Sequence, residues 1–262
     1  MRTQFYKYHG AGNDFVVIDN RKSTFDAQNN KLIEDICHRR FGVGADGLML
    51  LENAEGFDFK MKYFNSDGYE ASMCGNGGRC IVAFAQKLGL ISDYARFIAS
   101  DGPHEANISA DGLVDLHMSD VKEVEVVADG YFLNTGVPHL VHFVEDLHLI
   151  DVNIEGRQLR WDARFQPDGT NVNFVKEDGD HLTVYTYERG VEAETLACGT
   201  GITASALSAA VKAQLQEGEY QITAKGGALS VKFKKEGKNF VDVWLKGPAK
   251  MVFSGELDTL EL

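Results

Sequence analysis

Two cysteines carry the chemistry that this sequence offers. Cys74 and Cys198 close two segments of the form E-x-x-x-C-G-x-G, namely Glu70-Ala-Ser-Met-Cys74-Gly75-Asn76-Gly77 and Glu194-Thr-Leu-Ala-Cys198-Gly199-Thr200-Gly201. Each segment runs into a stretch of small and apolar residues that predicts a buried helix, over 77–88, closed by Gly89, and over 201–216, closed by Gly218. Each thiol therefore stands where a strand hands over to a helix start. The first N–H groups of a helix have no partner inside it and carry part of the dipole's positive charge. That setting lowers a thiol pKa. A Gly after the Cys lets a ligand approach the backbone, so the N–H groups can hold a carboxylate. Two such ends acting on one amino acid would grip its carboxylate and place a sulfur on each face of the α-carbon. A thiolate then removes the proton from one face and a thiol delivers one to the other. A single buried Cys before a Gly is ordinarily a packing residue; the duplication is what points to chemistry. Cys37 and Cys80 lack this setting and read as packing residues.

The elements that position the two thiols are themselves duplicated. A spacing of 124 residues separates Cys74 from Cys198 and Glu70 from Glu194. It also separates Gly12 from Gly136, and the stretch Gly47-Leu-Met-Leu-Leu from Asn171-Val-Asn-Phe-Val. Blocks recurring at one offset, in a chain about twice that long, imply two halves of the same topology rather than a solenoid. Between them lie many β-branched and aromatic runs bounded by turn residues, such as NDFVVID, HLTVYTY and FVDVWL. Asp111-Gly112, Asp129-Gly130 and Asp178-Gly179 mark hairpin turns. A third helix, amphipathic, is expected over 30–40, stopped by Gly42. The pattern predicts an α+β chain whose halves span 1–118 and 119–251, with the tail 252–262 joining the first.

Composition narrows the function classes. Twenty-six Lys and Arg against 39 Asp and Glu give a net charge of −13, which disfavours nucleic acid and anionic membranes as partners. No run of about 18 apolar residues is present to span a membrane. The opening MRTQFYKYHGAGND has no apolar signal core, and four cysteines do not make a disulfide scaffold. Both features lead to the expectation of a reducing cytoplasm. No pyridoxal-phosphate lysine motif, dinucleotide fingerprint or metal-ligand cluster is recognisable, so the expected cofactor is none and the expected metal is none. A Cys–His hydrolase using His9 or His139 would leave one of two equivalent cysteines surplus. Cys74 and Cys80 lack the second pair that a zinc site needs.

The segments FNSDGYEASMCGNGGRC and YERGVEAETLACGTG resemble the two signature segments of the diaminopimelate epimerase family. HGAGNDFVVID, FGVGADGLMLLE and TNVNFV are similar to that family as well, so the resemblance covers essentially the whole chain. It implies two pseudo-symmetric half-domains, each a curved, mostly antiparallel sheet wrapped around a central helix, with the active site in the cleft between them. It implies interconversion of LL- and meso-diaminopimelate, on the way to lysine and peptidoglycan, by a cytoplasmic homodimer acting on a small-molecule amino-acid substrate. Carried over by motif, Cys74 and Cys198 are the acid/base pair, and Gly75, Asn76, Gly199 and Thr200 cradle the carboxylate. Asn13, Asn65, Asn171, Glu188 and Arg189 match positions that hold the substrate's amino groups and distal carboxylate. An Arg can fork onto a carboxylate, and Glu and amide oxygens can accept from an ammonium. Three departures stand out. The family commonly has Asn where this chain has Val137, the loop from Arg189 to Cys198 is one residue longer than usual, and Gly47 replaces a Gln found in some relatives. A racemase of the same fold acting on another amino acid, a thiol redox protein and a non-catalytic amino-acid-binding protein are the alternatives that the residues leave open.

Overall fold

A parallel pair of strands needs a long crossover between its members, most often a helix. Among the described residues there are four such pairs, and the four α-helices lie in the crossovers. The computed structural model describes residues 2–258. The chain begins with β1 (Arg2–Gly10), β2 (Asn13–Asp19), α1 (Asn30–Cys37), β3 (Gly47–Glu52), β4 (Phe59–Asn65) and β5 (Glu70–Ala71). It continues with α2 (Gly75–Lys87), β6 (Tyr94–Ala99), β7 (Gly102–Ile108) and β8 (Leu113–His117). Then come β9 (Glu125–Val127), β10 (Gly130–Asn134), β11 (Pro138–Phe143), α3 (Val152–Arg160), β12 (Asn171–Asp178), β13 (His181–Glu188) and β14 (Ala193–Thr195). The last are α4 (Gly199–Lys212), β15 (Glu217–Ala224), β16 (Gly227–Glu236), β17 (Asn239–Pro248) and β18 (Lys250–Asp258). None of the described helices is long and apolar enough to cross a membrane.

The chain forms two compact units, one ending at Leu116 and resumed from Pro248, the other running from His117 to Gly247. In the first unit the ladder runs β18-β1-β2-β3-β4-β6-β7-β8, with β5 also on β4. Only β2–β3 and β4–β6 are parallel, bridged by α1 and α2. The second unit runs β9-β10-β11-β12-β13-β15-β16-β17, with β14 on β13. Here β11–β12 and β13–β15 are parallel, bridged by α3 and α4. Each unit is thus a mostly antiparallel α+β sheet with the same strand order. Residues 259–262 of the tail lie outside the described residues.

The offset of 124 reappears as hydrogen-bond register. Phe15 faces Gly47 in the β2–β3 ladder, and His139 faces Asn171 in β11–β12. Phe64 faces Glu70 beside β5, and Tyr187 faces Glu194 beside β14. The turn that leads to the second cysteine therefore holds one residue more than the turn that leads to the first.

The second helix of each unit is its core. α2 contacts β1, β2, β3, β4 and β7, and α4 contacts strands β10 to β13, β15 and β16. α4 is buried without a break from Gly201 to Ala210. Its small residues let the strands close around it, and its hydroxyls need partners in that dry setting. Thr203, Ser205 and Ser208 donate to the carbonyls four residues back, Gly199, Gly201 and Ala204, at 3.0, 2.7 and 2.8 Å.

Several boundaries differ from the sequence expectation. α1 stops at Cys37 because His38 leaves the helical region (ψ 121°). α4 stops at Lys212, where Gln214 takes the left-handed conformation (φ 58°); Gly218 lies inside β15. Both core helices start two residues early, at Gly75 and Gly199, so each cysteine is itself the N-cap. α3, with Gly156 in its middle, is absent from the sequence expectation. The structure explains that glycine: a Cβ there would lie 2.4 Å from Tyr187 Cβ and 2.7 Å from its Cγ. α3 packs on β13 only because no side chain intervenes.

Gly156→Ala tests this packing. In an exposed helix the change would stabilise by up to ~1 kcal/mol. Here neither backbone-anchored partner can retreat, so overpacking prevails and a net loss of ~1–3 kcal/mol is expected. Urea unfolding of the two proteins measures it, and a variant as stable as the parent would refute the close α3–β13 contact.

Candidate active site

In the first unit, Cys74 caps α2 with extended backbone, and its Sγ accepts the Gly77 N–H at 3.2 Å. A directed run of hydrogen bonds passes beside it. Arg79, which is fully buried, donates from Nη2 to Asn76 Oδ1 at 2.7 Å and from Nη1 to the Gly75 carbonyl at 3.1 Å. Asn76 Nδ2 then donates to Asn13 Oδ1 at 3.3 Å, and Asn13 Nδ2 donates to Asp46 Oδ2 at 2.7 Å. A guanidinium can only donate and a carboxylate only accept, so the two ends fix the direction of both amides. Asn13 Oδ1 lies 4.0 Å from Cys74 Sγ, within reach of the thiol.

Behind Asn13 lies an ion cluster. Lys7 and Arg39 each reach Asp14, at 2.6 and 2.7 Å, and Arg39 reaches Asp46 at 2.6 Å. Lys7 also donates to the Gly44 carbonyl. Burial alone would raise the Asp14 carboxyl, but Arg39 and Lys7 outweigh it and hold the group well below the usual carboxylate range. Asn65 stands apart from these contacts, exposed at the end of β4 and opposite Gly47 in the ladder. Gly47 has a steric reason: a Cβ there would meet the Phe64 carbonyl at 2.4 Å.

In the second unit, Cys198 caps α4, and its Sγ lies 3.3 Å from Thr200 Oγ1. Thr200 is tied down by His139, whose Nε2 is 3.0 Å from the same hydroxyl. Thr135 Oγ1 adds a bond to the Thr200 carbonyl at 2.9 Å. The proton positions can be worked out. Asn173 Nδ2 donates to the Leu140 carbonyl at 3.1 Å, and its Oδ1 accepts from Thr186 at 2.9 Å. The amide direction is thereby fixed, so the same Nδ2 donates to His139 Nδ1 at 3.1 Å. Burial, reinforced by the Arg189 charge, pushes the His139 pKa down to about 3, so the ring is neutral. Its single proton sits on Nε2 and points at Thr200 Oγ1, which leaves the hydroxyl proton for Cys198 Sγ.

The remaining expected residues of this unit are close in sequence to that chain of bonds. Asn171, 3% exposed, donates to the Pro138 carbonyl at 2.9 Å and accepts the Arg189 N–H at 2.8 Å. It ties two strands together and keeps one N–H and one lone pair in reserve. Glu188 ends β13, and Arg189 follows it, both half-buried. Val137 sits half-buried in the β10–β11 loop, where its carbonyl accepts the Thr135 N–H at 3.2 Å.

The structure brings together Cys74, Gly75, Asn76 and Asn13 in one unit and Cys198, Gly199 and Thr200 in the other. It adds Arg79, Asp46, Asn173 and Thr135, and it gives His139, weighed above only as a hydrolase partner, a place behind Thr200. Arg79 had a signal, as a charge inside an all-buried helix. The partners of Asn13 and His139 lie 33 and 34 residues away and had none. His9 takes the Gly12 N–H on Nδ1 at 3.3 Å and serves its turn. Burial pushes the Cys37 thiol up to about 12 and raises Cys80 further still. Among the described residues, no group of three or more His, Cys, Asp or Glu could hold a metal ion.

The buried neutral imidazole has a consequence for acid stability. As pH falls below the ordinary imidazole value of 6.5, the unfolded chain takes up a proton that folded His139 refuses until about pH 3. Stability should fall across that window by at most ~1.4 kcal/mol per pH unit from this group. Urea unfolding of the parent and of His139→Gln over a pH series isolates it. An unchanged acid slope in the variant would show that His139 is not held neutral.

The sequence profile described as diaminopimelate epimerase matches residues 5–124 and 131–252. A diaminopimelate epimerase of Flavobacterium psychrophilum is 48% identical over 251 residues, covering 95% of this chain and 98% of that one. One from Aquifex aeolicus is 40% identical over 274 residues, covering 97% of each. Among solved structures, a PhzF-family phenazine biosynthesis protein of Bacillus anthracis superposes with a TM-score of 0.79 at 14% identity, over 98% of this chain and 99% of that one. A hydroxyproline epimerase of Agrobacterium vitis superposes with a TM-score of 0.71 at 15% identity, over 98% and 92%. At such identities the likeness is one of fold. Profile and full-length relatives agree with the duplicated cysteine segments: the chain belongs to the diaminopimelate epimerase family.

Proposed function

We propose that this protein interconverts LL- and meso-diaminopimelate with no cofactor, one of Cys74 and Cys198 removing the α-proton and the other delivering its own proton to the opposite face. The observation that carries the reading is the pair of N-cap cysteines, one on the core helix of each unit at matching places in the same ladder. An α-C–H beside a carboxylate is a weak acid. First-turn N–H groups of α2 and α4 at Gly75-Asn76 and Gly199-Thr200 would draw charge from that carboxylate as the carbanion forms. A thiolate on one face removes the proton, and a thiol on the other supplies one. Asn13 and Thr200 lie beside the two sulfurs and would steer the S–H groups. Asn65, Asn171, Glu188 and Arg189 are assigned to the distal amino-acid end, where Arg189 can fork onto a carboxylate and Glu188 can accept from an ammonium. The same reading takes the enzyme as a cytoplasmic homodimer.

The decisive experiment is turnover in D₂O. The parent should incorporate one α-deuterium from solvent per inversion, and exhaustive dialysis against a chelator should not change the rate. Cys74→Ala and Cys198→Ala should each lose at least about a hundredfold in epimerisation, the ordinary worth of a positioned acid or base. Full turnover by either variant would remove the two-base assignment.

Val137 tests the distal end. In its register it matches Asn13, and its loop is tied to the first turn of α4 through Thr135. With diaminopimelate as substrate, Val leaves the site one hydrogen bond short. A bond to a charged group contributes roughly 1.5–3 kcal/mol. Val137→Asn should then lower KM about ten- to hundredfold with little change in kcat, since the distal end binds ground and transition states alike. Weaker activity in the variant would favour a racemase for an amino acid with an apolar or shorter distal end. Unchanged kinetics would mean that residue 137 does not touch the substrate.

A further inference from the structure

The two thiol sites differ in one charge. At the place of Arg79 in the first unit, the second unit has Thr203, 124 residues on. Both side chains bind the carbonyl of the Gly that follows the cysteine, Arg79 at 3.1 Å and Thr203 at 3.0 Å. The architectural task is the same, but only one of the two carries a formal charge.

That charge lies in an unusual place. Arg79 is fully buried, and among the described residues it forms no ion pair with a carboxylate. Desolvating a guanidinium is costly unless an anion or good hydrogen bonds compensate. Two hydrogen bonds compensate in part. The groups packed around this helix end carry little else. β3 and β4 present Met49 and Met61 to the first turn. β7 buries Ala106 and Ile108. β1 contributes Tyr8, whose hydroxyl burial pushes up to about 12, so that it is neutral. Behind Asn13 of β2, Lys7 and Arg39 are matched by Asp14 and Asp46, so that cluster sums to no net charge.

Two thiols remain as anion candidates. Burial lowers the pKa of Arg79, while Cys80 and Cys74 act to raise it. Cys80 is fully buried and its thiol is driven far above the ordinary range, so it stays protonated. Cys74 is partly exposed and already accepts a helix N–H at its sulfur. Beside Cys198, by contrast, stand neutral groups, the Thr200 hydroxyl and His139 behind it, with Arg189 acting on that ring. The Thr200 hydroxyl that points at Cys198 Sγ is matched at Cys74 by the Gly77 N–H, and the Asn13 amide oxygen, at 4.0 Å, opposes a Cys74 thiolate only from a distance, so the formal charge decides.

We propose that Arg79 is a positioning residue that makes Cys74, rather than Cys198, the thiolate of the resting enzyme. It does so by placing a buried charge that no carboxylate among the described residues neutralises beside the first turn of α2, on the carbonyl of the residue after Cys74. This rests on the assignment of the two cysteines as acid and base. It adds a direction: the resting enzyme takes a proton on Cys74 and gives one from Cys198. Each turnover then leaves the charge on Cys198, and a proton must move through solvent from Cys74 to Cys198 to restore the resting form.

The test reads thiol ionisation without substrate. The full-length protein is alkylated with iodoacetamide across a pH series, and modification is mapped at each cysteine by mass spectrometry. The midpoint of each curve reports ionisation regardless of how accessible the sulfur is. Cys74 should show a lower midpoint than Cys198. In Arg79→Met the Cys74 midpoint should rise by about one to three pH units, the usual worth of an adjacent cation, while that of Cys198 stays put. Arg79→Lys keeps the charge without the fork. It should retain most of the low midpoint yet turn over more slowly, because Asn76 is no longer held. An unmoved Cys74 midpoint in folded Arg79→Met overturns the proposal. Should that variant not fold, the parent alone decides: Cys198 or Cys80 ionising first overturns it equally. Deuterium exchange by the Cys→Ala variants judges the acid/base assignment separately, so failure of one reading is distinguishable from failure of the other.

Discussion

Everything at the thiol sites depends on how a helix is buried inside a curved sheet. The crossover from β4 to β6, and its counterpart from β13 to β15, sends a helix through the interior of its own unit. α4, in that position, is built from small and apolar residues and from hydroxyls that fold back onto its own carbonyls, while in α2 the guanidinium of Arg79 does so. Its ends are another matter. Four N–H groups at the start find no partner within the helix. The strand leading in from β5 or β14 brings the chain to that start in extended conformation, and a cysteine there becomes the cap. Cap and packing requirement thus meet: the backbone N–H groups left open by a buried helix lie at its start, and the sulfur sits on them.

The side chains around each cap follow from the same dryness. Amide and imidazole groups cannot be left half-satisfied in such a place. In the first unit the guanidinium of Arg79 and the carboxylate of Asp46 terminate a run through Asn76 and Asn13. In the second unit, Asn173 is locked by Leu140 and Thr186 and passes its orientation to His139 and Thr200. Neither network can reverse direction without breaking a bond at its fixed end. Each sulfur consequently meets a neighbour whose donor or acceptor sense is already set, an amide oxygen beside Cys74 and a hydroxyl beside Cys198. Preorganisation of that kind is what proton transfer to and from carbon requires, since solvent cannot rearrange on demand inside such a site.

Much of this was legible in the sequence because a duplication writes its register twice. The offset of 124 placed Gly47 opposite the same ladder position as Asn171, and the three Asp-Gly turns fell between paired strands. Helix interiors were legible too, since small apolar runs have few other uses. Ends and exceptions were harder. Helix α3 went unread, and the reason for the glycine in its middle, Gly156, lay in Tyr187, 31 residues away. Gln214 ended α4 although Gly218 was the better sequence signal, since a non-Gly residue can take the left-handed turn when the helix must stop there. Asn171 matched a family position and also proved to be a tie between strands. A motif names the residue but not the second partner that the fold gives it.

The two units agree in strand order and in the placement of their cysteines, yet they solve the same local problem with different chemistry. The carbonyl after each cysteine needs a donor, and a threonine hydroxyl suffices in α4. A guanidinium at the matching place in α2 is far more expensive to bury, so it is not there for that hydrogen bond alone. A perfectly symmetric pair of thiols would share one proton evenly, and half the molecules would rest in either protonation state. An enzyme that must accept a substrate hydrogen on one side and supply one on the other gains from having that choice made before the substrate arrives. The exchange of Arg79 for Thr203 changes the formal charge at matching places, each five residues after a cap cysteine. Asymmetry in proton transfer can then arise inside a symmetric fold from a single buried side chain, with the backbone of both halves unchanged.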